Sequence, residues 1–177
     1  MKIPPNVFLI LTSFFATVSA PAVEKLIKSP RQETKILILG DSLTEGYQVE
    51  KEQGFPAVLQ GLFDKEKALV KVISAGESGA TTASGLSRLK WQLKAKPDIL
   101  VLALGANDGL RGLKVDESQK NLVAMIELAQ AQNIGVLLCG MLLPPNYGKE
   151  YTDKFSAMYQ NIAKTYPVTF MPFLLEG

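Results

Sequence analysis

Ile36-Leu37-Ile38-Leu39-Gly40-Asp41-Ser42-Leu43 is a fully apolar run that halts at a glycine and passes at once into short polar residues. A strand buried on both faces reads this way, because neither face meets water and no alternation is needed. Three more runs of the same character follow: Val70-Lys71-Val72-Ile73, Ile99-Leu100-Val101-Leu102-Ala103-Leu104, and Gly135 to Cys139. Val168-Thr169-Phe170 makes a fifth, shorter strand. Between them lie stretches of helical period. Pro56 suits a first helical turn and leads into Ala57-Val58-Leu59 and Leu62-Phe63. Leu86, Leu89 and Leu93 share a face, which leaves Arg88, Lys90 and Lys94 for solvent. Asp116 is the expected cap of the next helix, with Gln119 as its capping-box partner and Leu122, Met125, Ile126 and Ala129 as the apolar stripe. Phe155, Met158, Tyr159 and Ile162 mark the last helix. Repeated strand–helix alternation predicts an α/β fold: a five-stranded parallel sheet between two layers of helices, since right-handed crossovers put them there.

Composition narrows the classes of function. The 177 residues, 47% apolar, suit one domain with a proper core. Nineteen basic against seventeen acidic residues, with no long run of either sign, leave no stripe for nucleic acid. One cysteine, Cys139, lies inside an apolar run and reads as a buried small hydrophobe. With no histidine at all, the chain argues against a transition-metal site. At the N-terminus, Lys2, the apolar stretch from Val7 to Ala16 and the small residues Ser19-Ala20-Pro21-Ala22 read as a signal peptide over residues 1–22. The stretch is too short for a membrane span. A polar lead-in over residues 23–34 and a domain over residues 35–177 would follow, in an exported protein, periplasmic or secreted.

Open parallel sheets bind ligands at the carboxyl ends of strands, beside the point where strand order reverses. The unusual residues of this chain fall in those loops. After the first strand, Gly40 permits a sharp exit, Asp41 can brace the turn and Ser42 lands where its hydroxyl and N–H can meet a ligand. An ordinary Asx turn would use the same residues. After the second strand comes Ser74-Ala75-Gly76-Glu77-Ser78-Gly79-Ala80, whose glycines suit a backbone that approaches a ligand closely. After the third comes Gly105-Ala106-Asn107-Asp108-Gly109, a loop in which Asn107 can donate to an oxyanion, or cap the turn with help from Asp108. Together the loops offer one nucleophile, Ser42, and three donors: the Ser42 N–H, the Gly79 N–H and the Asn107 amide. A serine hydroxyl needs an adjacent base, usually imidazole, and here there is none.

Gly40-Asp41-Ser42-Leu43, Gly79 and Gly105-Ala106-Asn107-Asp108 resemble, in order, the first three blocks of the SGNH (GDSL) hydrolase superfamily. The likeness runs from about Lys35 to the end, through Leu143-Pro144-Pro145-Asn146-Tyr147-Gly148 and Pro172-Phe173, and is greatest to exported thioesterase, arylesterase and lysophospholipase enzymes. It implies a three-layer, flavodoxin-like fold and a cofactor-free serine hydrolase acting on a small-molecule ester or thioester. Ser42 would be the catalytic nucleophile, with Ser42, Gly79 and Asn107 as the oxyanion hole and Gly40, Asp41 and Asp108 in support. Leu110 and Leu142-Leu143 are candidate acyl contacts, with plain packing as the alternative. The family's final Asp-x-x-His block and last helix lie beyond the segment equivalent to Pro172–Glu176. The chain as written is therefore expected to hydrolyse weakly and to leave part of one sheet face uncovered. Two other classes fit less of the pattern. One is a non-catalytic binder of carboxylate or carbonyl ligands that keeps the oxyanion pocket. The other is a nucleotide or flavin binder, which would want a glycine-rich phosphate loop after the first strand.

Overall fold

A computed structural model describes residues 33–176; the signal peptide and most of the lead-in read from the sequence lie outside the described residues. The chain alternates strand and helix in the order β1 (Thr34–Gly40), α1 (Ser42–Glu45), α2 (Phe55–Lys65), β2 (Val70–Ala75), α3 (Thr82–Gln92), β3 (Ile99–Ala103), α4 (Ala106–Leu110), α5 (Val115–Gln130), β4 (Gly135–Cys139), α6 (Lys149–Thr165) and β5 (Thr169–Met171). All strands are parallel, in the order β2-β1-β3-β4-β5. The expected α/β sheet is therefore present, and the order reverses between β1 and β3. The strand begins at Thr34, within the expected lead-in, because Thr34 already pairs with Val70 and its N–H donates to Leu69.

Leu37, Leu39, Leu100, Leu102, Leu104 and Leu138 are fully buried beneath α3, α5 and α6, which pack side by side. Burying each such side chain contributes roughly 1.5–3 kcal/mol, and this layer is the main core. β1 runs outward to β2 while every later crossover runs the other way, so right-handed connections put α2 alone on the opposite face. Gln60 of α2 donates to the Val70 carbonyl and accepts from the Val72 N–H, which occupies the backbone of the edge strand. Toward the other edge this face thins. Ile99 and Leu137 are half-buried, and Met171 is 38% exposed.

Three local expectations need correction. Asp116 does not cap α5: Lys114 is the N-cap and makes no side-chain cap bond. Buried Val115 draws the helix start toward the core, which leaves Asp116 and Glu117 in the first turn, where the helix dipole favours them. Residues 106–110 form a short helix rather than a loop. Arg88, expected in solvent, is held inside, with a side chain only 16% exposed.

Candidate active site

The elbow is built on an absence of space. A Cβ on Gly40 would lie 1.9 Å from Thr44 Oγ1, so only glycine lets β1 turn directly into α1. Asp41 then caps α1, its Oδ1 accepting the Leu43 N–H at 3.0 Å. Its carboxyl is 1% exposed. Burial pushes its pKa above the ordinary value of 3.8, while the Leu43 N–H and the Arg88 charge pull the other way. Ser42 opens α1 and is half-buried. It lines a cavity of about 400 Å³ with Leu43, Tyr47, Val49, Phe55 and Leu174.

The loop after β2 leans on that elbow. A Cβ on Gly76 would stand 2.1 Å from the Glu45 N. Glu45 accepts the Ser78 N–H at 2.7 Å and the Ser78 hydroxyl as well. Gly79 takes φ +76°, a backbone that disfavours side chains, and its carbonyl accepts Arg111 Nη2 at 3.0 Å. Neither the Ser42 N–H nor the Gly79 N–H donates to another backbone group among the described residues.

The third corner is braced from below. Tyr159, reaching up from α6, donates to the Leu104 carbonyl at 2.9 Å, and a Cβ on Gly105 would lie 2.1 Å from its hydroxyl oxygen. Gly105 has φ +118°. Asn107 spends one amide proton on the Ala80 carbonyl at 3.0 Å, which fixes its side chain over the β2 loop and leaves a second proton. Asp108, 2% exposed, does more than help a turn: it accepts Thr82 N–H at 2.9 Å, Thr82 Oγ1 at 2.5 Å and Ser118 Oγ at 2.9 Å. A buried carboxylate requires such donors, and these three bind α3, α4 and α5 to one point.

Ser42 at the start of α1, Gly79 in the loop after β2 and Asn107 in α4 thus lie at the same end of the sheet, at its switch point, linked through Glu45–Ser78 and Asn107–Ala80. Leu110 and Leu142 are about half exposed, Leu143 packs on Gly109, and none of the three lines the cavity beside Ser42. Glu45, Thr82, Arg88, Arg111 and Ser118 support the site without having stood out in the sequence as site residues, and Tyr159 was read only as part of the apolar stripe of the last helix. Arg88 left a sign as well: it follows Gly85 by three and precedes Leu89 by one, both buried, so it borders the inward stripe.

The open parallel sheet with its layered helices is the fold of SGNH-family esterases. The chain belongs to the GDSL-like Lipase/Acylhydrolase family, whose profile matches residues 38–176. It is 41% identical over 143 residues to the esterase TesA of Pseudomonas aeruginosa, covering 80% of this chain and 71% of that protein. It is 35% identical over 173 residues to the thioesterase 1/protease 1/lysophospholipase L1 of Escherichia coli K12, covering 97% and 75%. The crystal structure of AlinE4, an SGNH-hydrolase family esterase, superposes with a TM-score of 0.77 at 39% identity, over 81% of this chain and 78% of that one.

Proposed function

We propose that this chain cleaves carboxylic esters or thioesters by acyl transfer through Ser42. The hydroxyl oxygen attacks the carbonyl carbon as its proton passes to a solvent water, and solvent returns a proton to the departing alcohol or thiol. The negative charge that forms on the carbonyl oxygen is received by the Ser42 N–H, the Gly79 N–H and the free Asn107 amide proton. Collapse of the tetrahedral species expels the alcohol or thiol and leaves acyl-Ser42, which water then hydrolyses. Each oxyanion donor supplies about 3 kcal/mol at the transition state. The reaction as drawn uses no cofactor. Supporting this reading above all is the Asn107–Ala80 bond, which uses one amide proton and leaves the other for a ligand while tying the segment after β3 to the β2 loop beside the elbow. The cavity of about 400 Å³ flanking Ser42, with Leu43, Tyr47, Val49 and Phe55 along it, suits an apolar acyl or aryl group.

The serine proton needs an acceptor, and the chain has no histidine. Hydrolysis by this chain is expected to fall to the ~10³–10⁴-fold over water that oxyanion donors and binding sustain without a base. Export is part of the same reading, carried by the apolar leader over residues 1–22; among the described residues no helix is long and apolar enough to cross a membrane. An alkyl fluorophosphonate tests the nucleophile. Intact mass should rise by one phosphonyl group on Ser42, and Ser42→Ala should stay unlabelled. Equal labelling of the variant would remove Ser42 from the role.

A further inference from the structure

Arg88 extends from α3 under the elbow, and its guanidinium meets three backbone or side-chain groups. Nη2 donates to the Gly40 carbonyl at 3.1 Å and to the Ala75 carbonyl at 2.5 Å, one proton to each. Nε pairs with Glu77 Oε2 at 3.0 Å. Gly40 and Ala75 are the last residues of two adjacent strands, and the β1–β2 ladder has ended at Leu39–Ala75. Past that pair no ladder bond sets the distance between the two exits. Gly40 stands two residues before Ser42, and Ala75 stands four before Gly79.

From this geometry we infer that Arg88 is a positioning residue of the Ser42 site, a strut that sets the separation of the β1 and β2 exits and thereby of the Ser42 and Gly79 amides. The inference rests on the acyl-transfer reading above. An oxyanion hole works only when its donors are held where the charge develops, and a misplacement of about 1 Å costs ~10²-fold in rate. A planar fork suits the task. Its two Nη2 protons diverge at a fixed angle and reach two carbonyls at once, whereas an ammonium on a flexible stem fixes neither distance. Glu77 clasps the guanidinium from the loop side, so the strut holds the first residues of that loop as well as the strand end. Three neighbouring ties act at other points. Ser74 Oγ donates to the Thr44 carbonyl at 3.2 Å and Glu45 accepts from Ser78, both within or beyond α1, and Arg111 holds Gly79 from outside, so none of them spans the Gly40 and Ala75 carbonyls.

The test compares the full chain with Arg88→Met and Arg88→Lys in two measurements. The first is phosphonylation of Ser42 by an alkyl fluorophosphonate, resolved into reversible probe affinity and maximal rate. Arg88→Met should lower the maximal rate ~10²-fold with little change in affinity, and Arg88→Lys should fall between. The second is hydrogen exchange. Arg88→Met should speed exchange in peptides spanning residues 40–46 and 75–80 while peptides spanning residues 135–141 keep their protection. An unchanged rate and unchanged exchange in a folded Arg88→Met chain would overturn the assignment. So would a loss of protection spread evenly over the sheet, since that marks general stability. Should Arg88→Met fail to fold, Arg88→Lys is judged by the same two criteria. If the unsubstituted chain labels no faster than Ser42→Ala, the acyl-transfer reading falls instead, and the exchange contrast alone decides whether Arg88 is the strut.

Discussion

Asp41 and Gly105 illustrate how single residues near Ser42 are bound to their surroundings. Burial favours the neutral Asp41 acid, so the folded chain holds that proton more tightly than the unfolded chain does. Its contribution to stability is present in full below the ordinary value of 3.8 and is lost as pH rises through the raised one. Asp41→Asn keeps an oxygen for the Leu43 N–H and removes the charge. The melting temperature of the variant relative to the parent should therefore increase between about pH 3 and about pH 7; a difference independent of pH would contradict the buried-charge argument. At Gly105 the demand is steric. Gly105→Ala would press its Cβ on the Tyr159 hydroxyl and force a side chain into φ +118°, costing about 1–3 kcal/mol for the backbone alone. In a Tyr159→Phe background part of that cost should vanish, because the clashing oxygen is gone. A double-mutant cycle from urea unfolding measures the coupling, and strict additivity would place the strain elsewhere.

Helices and strands meet the site through few side chains, and Asp108 is the densest junction. It joins the first turn of α3 through Thr82 and that of α5 through Ser118. Asn121, one turn further along α5, donates to the Thr82 hydroxyl at 3.1 Å and extends the network. Asp108→Ala leaves three buried donors without a partner, and the loss in urea unfolding should be on the order of 3 kcal/mol. A loss under ~1 kcal/mol would mean that the helices find other acceptors. The short helix α4 follows from the same junction. Asn107 and Asp108 read as loop residues because their side chains compete with backbone bonding. Here both side chains are committed to other segments, and the backbone of residues 106–110 is free to close helical turns. Single-sequence periodicity cannot see that commitment, because Thr82 and Ser118 stand 26 and 10 residues away.

For the molecule as a whole, the two faces of the sheet are unequal. Beneath α3, α5 and α6 the leucines are sealed, while on the α2 face Ile99 and Leu137 are half-buried. α2 itself exposes Val58 at 48% and Leu62 at 53%. Apolar surface of this kind favours association, so the purified chain should self-associate as concentration rises, and Leu62→Lys should weaken this at little cost in stability. Light scattering on size-exclusion fractions reads both; a monomer at every concentration would contradict it. The strands, the helical stripe of α5 and the class of chemistry were legible because they rest on local causes: apolar runs, helical period, and small residues at strand exits. Ser42, Gly79 and Asn107 stood out as candidates for the same reason, since each follows a recognisable strand within a few residues. The sequence by itself determined a parallel α/β sheet with a glycine-led serine elbow at its switch point. Only the tertiary structure decided how that elbow is held, with Arg88 turned inward to two carbonyls, Asp108 joining three helices and Tyr159 beneath Gly105. These are polar contacts across 10 to 55 residues of chain. Each exists because a buried carbonyl or carboxylate must find a donor, and which donor arrives depends on how distant segments pack.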